Sequence, residues 1–191
     1  MNTVFELNNA FKRSQIEITS DTPYGLLRDY LKPYQKEKLP ESITFKVAAG
    51  KKNYDLIRLF QSGQYFFSQK FIDVLSQFMD MSDKCYPIKV EGTEEQYYVI
   101  HNLEKFSYLN FQKSSLTFDK EPCFYREKEI TPPIFTTPKS LYHFVVTEEL
   151  KNALIKYKIS NVEFDEAFLC TREEYKEWQD SRRLAKCRGK Q

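Results

Sequence analysis

Two stretches of this chain share one pattern, and that pattern limits the folds open to it. "YFFSQKFIDVL" (65–75) and "HFVVTEELKNAL" (143–154) each pass from a strand-like apolar segment through Ser68 or Thr147 into a helical pattern. A hydroxyl at that point can cap a helix, because it accepts a hydrogen bond from a free first-turn amide. The apolar residues then recur at i, i+3, i+4 and i+7, the spacing of one buried helix face. The two copies keep a constant offset of 79 residues: Ser68 to Thr147, Phe71 to Leu150, Leu75 to Leu154 and Phe78 to Tyr157.

The remaining segments predict an α+β fold, with mixed, mainly antiparallel sheet, packed helices and two similar strand–helix–strand units. "SITFKVA" (42–48) alternates like a strand, and "YGLLRDYLKPY" (24–34) places apolar residues on one helical face. "NYDLIRLF" (53–60) fits neither period clearly, and we interpret it as a short helix. "CYPIKV" and "QYYVIHNL" are expected to pair as strands around a turn at Gly92.

The length of 191 residues suits one compact globule, within which three regions differ in pattern. Residues 1–42 are expected to hold N-terminal strands and a short helix. Residues 43–165 form the α+β domain, whose two strand–helix units span 65–90 and 143–164. Residues 166–191 read as a C-terminal helix followed by a basic tail.

The charge distribution is uneven. The net charge is +2, but the final residues "SRRLAKCRGKQ" carry five cations and no acid, so 24 basic residues face 27 acidic ones in the rest of the chain. A mildly acidic body is a poor electrostatic match for a nucleic acid, so no nucleic-acid partner is expected. A weak nucleic-acid adaptor acting through the 182–190 tail remains an alternative.

No motif of known catalytic or metal-binding spacing is present. The four cysteines are far apart, the histidines are only His101 and His143, and the chain has no HExxH, GxSxG or P-loop pattern. We therefore predict no catalytic residue, no metal and no cofactor. A cysteine paired in space with either histidine stays open as an alternative, an enzyme of uncharacterised activity. No apolar run suggests a signal peptide or a membrane span, which favours a cytoplasmic protein with reduced thiols.

The segment between the two copies is the predicted partner-binding region. It combines aromatic and charged residues with little periodicity, which is typical of protein-binding hot spots on loops. A homodimer is left open. The candidate interface residues are Tyr108, Phe111, Asp119, Glu121, Phe124, Tyr125, Arg126, Glu127 and Glu129.

The serial order of these segments resembles a bacterial family of immunity proteins, first defined by a domain in a myxobacterial immunity protein and encoded beside polymorphic toxins. The resemblance covers roughly residues 43–165. It rests on the order "FFSQKFIDVL", "CYPIKV", "QYYVIHNLEKFSYLNFQKS", "IFTT", "FVVTEELKNAL" and "ISNVEF". The matching residues are Ser68, Lys70, Phe71, Leu75, Tyr86, Pro87, Tyr97, Tyr98, Asn102, Ser114, Phe135, Thr147, Leu150 and Phe164.

The resemblance implies a non-enzymatic cytoplasmic protein that binds and blocks a toxin, encoded by the adjacent gene and delivered by a neighbouring cell, often through type VI secretion. A mildly acidic body is expected to suit a basic toxin by steering association. Two positions depart from the family pattern. Asn110 stands where aspartate is usual, which removes any electrostatic role of that carboxylate, and Asn161 stands where glycine is usual.

Overall fold

The structure, a computed structural model, describes residues 2–106, 123–125, 132–137, 144–174, 176–177 and 180. Within these residues, twelve strands and three helices are defined at both ends. The strands are β1 (Asn2–Asn9), β2 (Glu17–Thr19), β3 (Phe45–Ala49), β4 (Leu56–Leu59), β5 (Tyr65–Ser68), β6 (Cys85–Ile88), β7 (Val90–Glu91), β8 (Tyr97–Ile100), β9 (Cys123–Tyr125), β10 (Ile134–Phe135), β11 (Phe144–Thr147) and β12 (Val162–Cys170). The helices are α1 (Tyr24–Tyr30), α2 (Gln69–Leu75) and α3 (Glu148–Lys156).

The larger sheet has seven strands in the order β6-β8-β5-β4-β2-β3-β7. Its two outermost strands are separated in sequence only by Lys89, so the sheet curls into a nearly closed barrel. One core lies inside this barrel. Leu27 of α1 and Leu31, which directly follows that helix, contribute to it. Burial of both sheet and helix side chains here excludes water from the barrel interior.

The smaller sheet has five strands in the order β10-β11-β1-β12-β9. Strand β1 lies in its centre and pairs along its whole length with β12, from Asn2 opposite Leu169 to Asn9 opposite Val162. Of the ten strand pairings in the described residues, only β2–β4, β3–β7 and β9–β12 are parallel. The predicted α+β class with mainly antiparallel sheet is therefore confirmed.

The two predicted helix caps are both present. The Ser68 hydroxyl accepts a hydrogen bond from the Phe71 amide at 3.2 Å, and the Thr147 hydroxyl accepts one from the Leu150 amide at 3.4 Å. Glu148 and Glu149 occupy the first turn of α3, where negative charge interacts favourably with the helix dipole. The strands that precede the two helices, β5 and β11, are also separated by 79 residues.

The correspondence extends to the neighbouring strands. The order β4-β5-β8-β6 in the larger sheet matches β10-β11-β1-β12 in the smaller one, and each unit is a split β-α-β with one antiparallel strand inserted between its parallel pair. Even the register agrees, because Cys85 opposite Ile100 corresponds to Phe164 opposite Leu7. The second unit takes its inserted strand from the N-terminus, so the two units differ by a circular permutation.

The buried faces of the two helices meet in the main core. Residues of α2 and α3 pack there with the facing sides of both sheets. The helical contributions come from Phe71, Ile72, Val74, Leu75, Leu150 and Leu154.

One element was predicted wrongly. Residues 53–60 form no helix; they contain β4, which lies between β5 and β2. Leu56 packs into the main core, whereas Ile57 and Leu59 face the barrel interior, so both faces of the strand are largely apolar. A strand buried on both faces loses the alternation by which strands are recognised.

Candidate binding surface

Most of the predicted interface lies outside the described residues. This is true of Tyr108, Phe111, Asp119, Glu121, Arg126, Glu127 and Glu129, and also of His143 and the 182–190 tail. Phe124 and Tyr125 belong to β9, where their backbones lie opposite Leu169 and Cys170 at the edge of the smaller sheet. That binding region stays a prediction.

The described residues present a different exposed surface, which the sequence did not single out. It is built from two loops, 10–15 and 50–54, together with one residue of β4. We call it the aromatic–cation surface, and it comprises Phe11, Lys12, Arg13, Lys51, Lys52, Tyr54 and Arg58.

Phe11 is the most unusual member of the surface. Its side chain is 56% exposed, and its backbone has φ +50°, the left-handed region that a phenylalanine rarely adopts. Such a conformation costs about 1–2 kcal/mol for a residue other than glycine. An exposed side chain recovers little of that cost by burial, so the surrounding structure must impose the conformation.

Two buried asparagines impose it. Asn9 accepts a hydrogen bond from the Phe11 amide through its side-chain oxygen at 2.7 Å, and Asn161 accepts one from the Lys12 amide at 3.2 Å. Both side-chain amides also donate to the Leu56 carbonyl, at 3.3 and 2.7 Å. The loop is therefore anchored to β4 through two polar side chains that each accept from the loop and donate to Leu56.

Asn161 itself has φ +65°. Asparagine tolerates this region better than most residues because its short amide bonds locally, and glycine adopts it freely. Asparagine and glycine are therefore the residues best suited to the backbone at this position.

The second loop is held just as closely to the first. The Ser14 carbonyl accepts hydrogen bonds from the amides of Lys51 and Lys52 at 3.1 and 2.9 Å. Gly50 has φ +81°, and a Cβ there would lie 1.8 Å from the Gln15 carbonyl oxygen, so only glycine permits this approach. The hydroxyls of Ser14 and Tyr54 share a further hydrogen bond of 2.9 Å.

The aromatic rings restrict the positions of the neighbouring lysine and arginine side chains. The Nζ atoms of Lys12 and Lys52 lie 5.4 and 5.3 Å from the centroid of Tyr54, and the Arg58 guanidinium lies 4.8 Å from that of Phe11. Arg58 also donates to Glu17 at 2.8 Å. These contacts favour defined positions for side chains that would otherwise sample many rotamers.

Beside this surface lies a cleft of about 540 Å³. It is mainly polar, and its lining includes Gly50, Lys51, Asn53, Gly92, Thr93 and Glu94. The Thr93 hydroxyl donates a hydrogen bond to the side-chain oxygen of Asn53 at 3.2 Å. The cleft gives the neighbourhood of Lys51 a concave shape.

Cys85 and His101 each contact a backbone carbonyl in the described part of the chain. The Cys85 thiol donates to the Met81 carbonyl at 3.5 Å, and burial raises its pKa, which favours the unreactive thiol. The Nδ1 atom of His101 lies 3.2 Å from the Gln35 carbonyl oxygen. Burial lowers the pKa of His101, so the imidazole is neutral at pH 7.

The described residues contain no group of three or more histidine, cysteine or carboxylate side chains placed to hold a metal ion. No helix among them is long and apolar enough to cross a membrane.

No protein-family model matches the chain, and no curated protein matches it either.

Proposed function

We propose that this chain is an immunity protein that binds a cognate bacterial toxin and blocks it by covering its active surface. The observation that carries the proposal is Phe11, an exposed aromatic ring held in a strained backbone conformation by Asn9 and Asn161. Backbone strain that is not offset by burial of the side chain is typical of residues with a role in recognition. The serial resemblance over residues 43–165 supplies the class of partner.

The composition of the aromatic–cation surface suits the centre of a protein interface. Phenylalanine, tyrosine and arginine are enriched in such interfaces, and most of the binding energy comes from a few such residues. Both loops are fixed by backbone hydrogen bonds, so little conformational entropy is lost when a partner binds. Occlusion needs this kind of rigid and complementary surface.

The test uses growth of a bacterial host that expresses the protein encoded by the adjacent reading frame. That protein alone should arrest growth, and co-expression of this chain in the cytoplasm should restore it. The proposal fails if the neighbour is harmless alone, or if this chain gives no rescue.

A matched pair of variants links rescue to the surface. Phe11→Gly removes the ring and permits the left-handed backbone, so the fold should persist while rescue is lost. Leu26→Ala removes a comparably exposed apolar side chain, 59% accessible, from α1, and should rescue like the native chain. Equal rescue by both variants would show that Phe11 does not contribute to the interface.

A further inference from the structure

We infer that the aromatic–cation surface recognises an acidic face of its protein partner; this inference rests on the proposed function. Lys12, Arg13, Lys51 and Lys52 are all exposed. Within the described residues, none of the four lies within 4.0 Å of a carboxylate oxygen. The local charge is therefore opposite in sign to the mildly acidic body from which a basic partner was expected.

The cations are arranged before any partner arrives. Lys12 and Lys52 are drawn to the Tyr54 ring, and hydrogen bonds to the Ser14 carbonyl fix the backbones of Lys51 and Lys52. A cluster of unpaired positive charges on a rigid support accelerates encounter with an opposite charge and loses less freedom on binding.

The ring geometry favours an acidic protein over a nucleic acid. Single strands are bound by stacking bases on open aromatic faces. Two ammonium groups lie near the Tyr54 ring and a guanidinium lies near the Phe11 ring, so a stacking base would compete with these cations for the ring faces. A protein surface can instead combine carboxylates for the lysines with apolar contact at the exposed part of Phe11.

Glu94 also favours a protein partner over a nucleic acid. It lines the same cleft as Lys51. A protein face of mixed sign can place a cation or a neutral group opposite Glu94.

The first experiment measures association kinetics between the full-length chain and the protein encoded by the adjacent reading frame, at about 50 and 500 mM NaCl. We expect the association rate of the native chain to fall about tenfold at the higher salt, as steered encounters do. The double variant Lys12→Glu/Lys52→Glu should associate at least tenfold more slowly at low salt. Its control, Lys36→Glu/Lys176→Glu, makes the same charge change at exposed positions outside the surface and should stay within about threefold.

Native-like, salt-insensitive binding by Lys12→Glu/Lys52→Glu would overturn the inference and leave the proposed function standing. If the native chain forms no complex, the proposed function fails, and a second experiment still decides the inference. In it, labelled poly-L-glutamate and single-stranded DNA of equal charge are each titrated with the full-length chain at low salt. Poly-L-glutamate should bind, and the double variant should weaken it at least tenfold. DNA binding through the same lysines without poly-L-glutamate binding would contradict an acidic protein partner.

Discussion

Tyr65 and Phe144 occupy the same position in the two units, 79 residues apart, and their rings stack on each other with centroids 6.1 Å apart. Equivalent residues touch when two similar units face one another across a local twofold axis. Phe144 also meets Phe67 edge to face at 5.1 Å, so the contact lies inside the main core. The repeated sequence pattern is therefore the framework of the fold, and the binding surface must be sought elsewhere.

The two helix caps should differ in strength although their sequences match. Thr147→Ala removes one hydrogen bond and should lower the free energy of unfolding by about 1 kcal/mol. Ser68→Ala should lower it by about 2 kcal/mol, because the Ser68 hydroxyl also donates to the partly buried carboxylate of Asp55 at 2.7 Å. Urea denaturation of both variants checks this, and equal losses would show that the bond to Asp55 contributes nothing.

Two glycines with similar backbone angles should respond differently to alanine. Gly63 has φ +77° and open space around it, so Gly63→Ala should cost only the conformational strain of about 1 kcal/mol. Gly50→Ala adds a collision with the Gln15 carbonyl and should cost about 3 kcal/mol or more. Thermal unfolding of the pair measures the difference, and similar melting temperatures would mean that the two loops can move apart.

Stability should fall as the pH drops through the region in which an unfolded histidine titrates. Burial lowers the pKa of His101 below its ordinary value of 6.5. The hydrogen bond with the Gln35 backbone and the charge of Asp83 oppose this shift, whereas Lys38 and Lys84 add to it. The unfolded chain therefore binds more protons just below pH 6.5, and the free energy of unfolding decreases with falling pH. Hydrogen bonds from Lys32 to Asp29 and from Ser82 to Asp80 lower the pKa of these exposed carboxyls from an already acidic ordinary value, so they do not contribute in this window.

The variant His101→Phe isolates this contribution. It keeps an aromatic ring beside Tyr86, which meets the imidazole edge to face at 4.9 Å, but it cannot take up a proton. Urea denaturation between about pH 7.5 and pH 5.5 should give a shallower loss of stability than in the native chain. If the free energy of unfolding falls equally with pH in both proteins, a group other than His101 is responsible for the loss.

Removing the strained phenylalanine should separate stability from recognition. Phe11→Gly relieves about 1–2 kcal/mol of backbone strain, while it loses the contact with Arg58 and adds the entropy of an unfolded glycine. The free energy of unfolding should therefore change by no more than about 1 kcal/mol. A loss of about 3 kcal/mol in urea would instead assign Phe11 to the framework.

The local parts of this fold were predictable because they depend on neighbouring residues. The caps at Ser68 and Thr147 and the helix faces behind them follow from side-chain type and spacing. The place of β1 between β11 and β12 was not predictable, since it joins residues more than 130 positions apart and only the completed sheet sets the register. Strand β4 was missed because both of its faces are buried.

The aromatic–cation surface was missed for a related reason. Lys12-Arg13 and Lys51-Lys52 are visible as basic pairs, but nothing near them in sequence shows that the Ser14 carbonyl holds the two loops together. The left-handed backbone of Phe11 also leaves no trace in a pattern of apolar and polar residues. Its supports, Asn9 and Asn161, lie in separate strands and turns that meet only in the folded chain.

The most direct test of the account is calorimetric titration of the purified chain with the purified protein encoded by the adjacent reading frame. An immunity protein that occludes its toxin should form a one-to-one complex with a dissociation constant of about 10 nM or tighter, and stoichiometric amounts should abolish the toxin's activity. The Phe11→Gly variant should bind at least tenfold more weakly. Absence of a complex at about 10 μM, or a complex that leaves the toxin fully active, would contradict the proposed function.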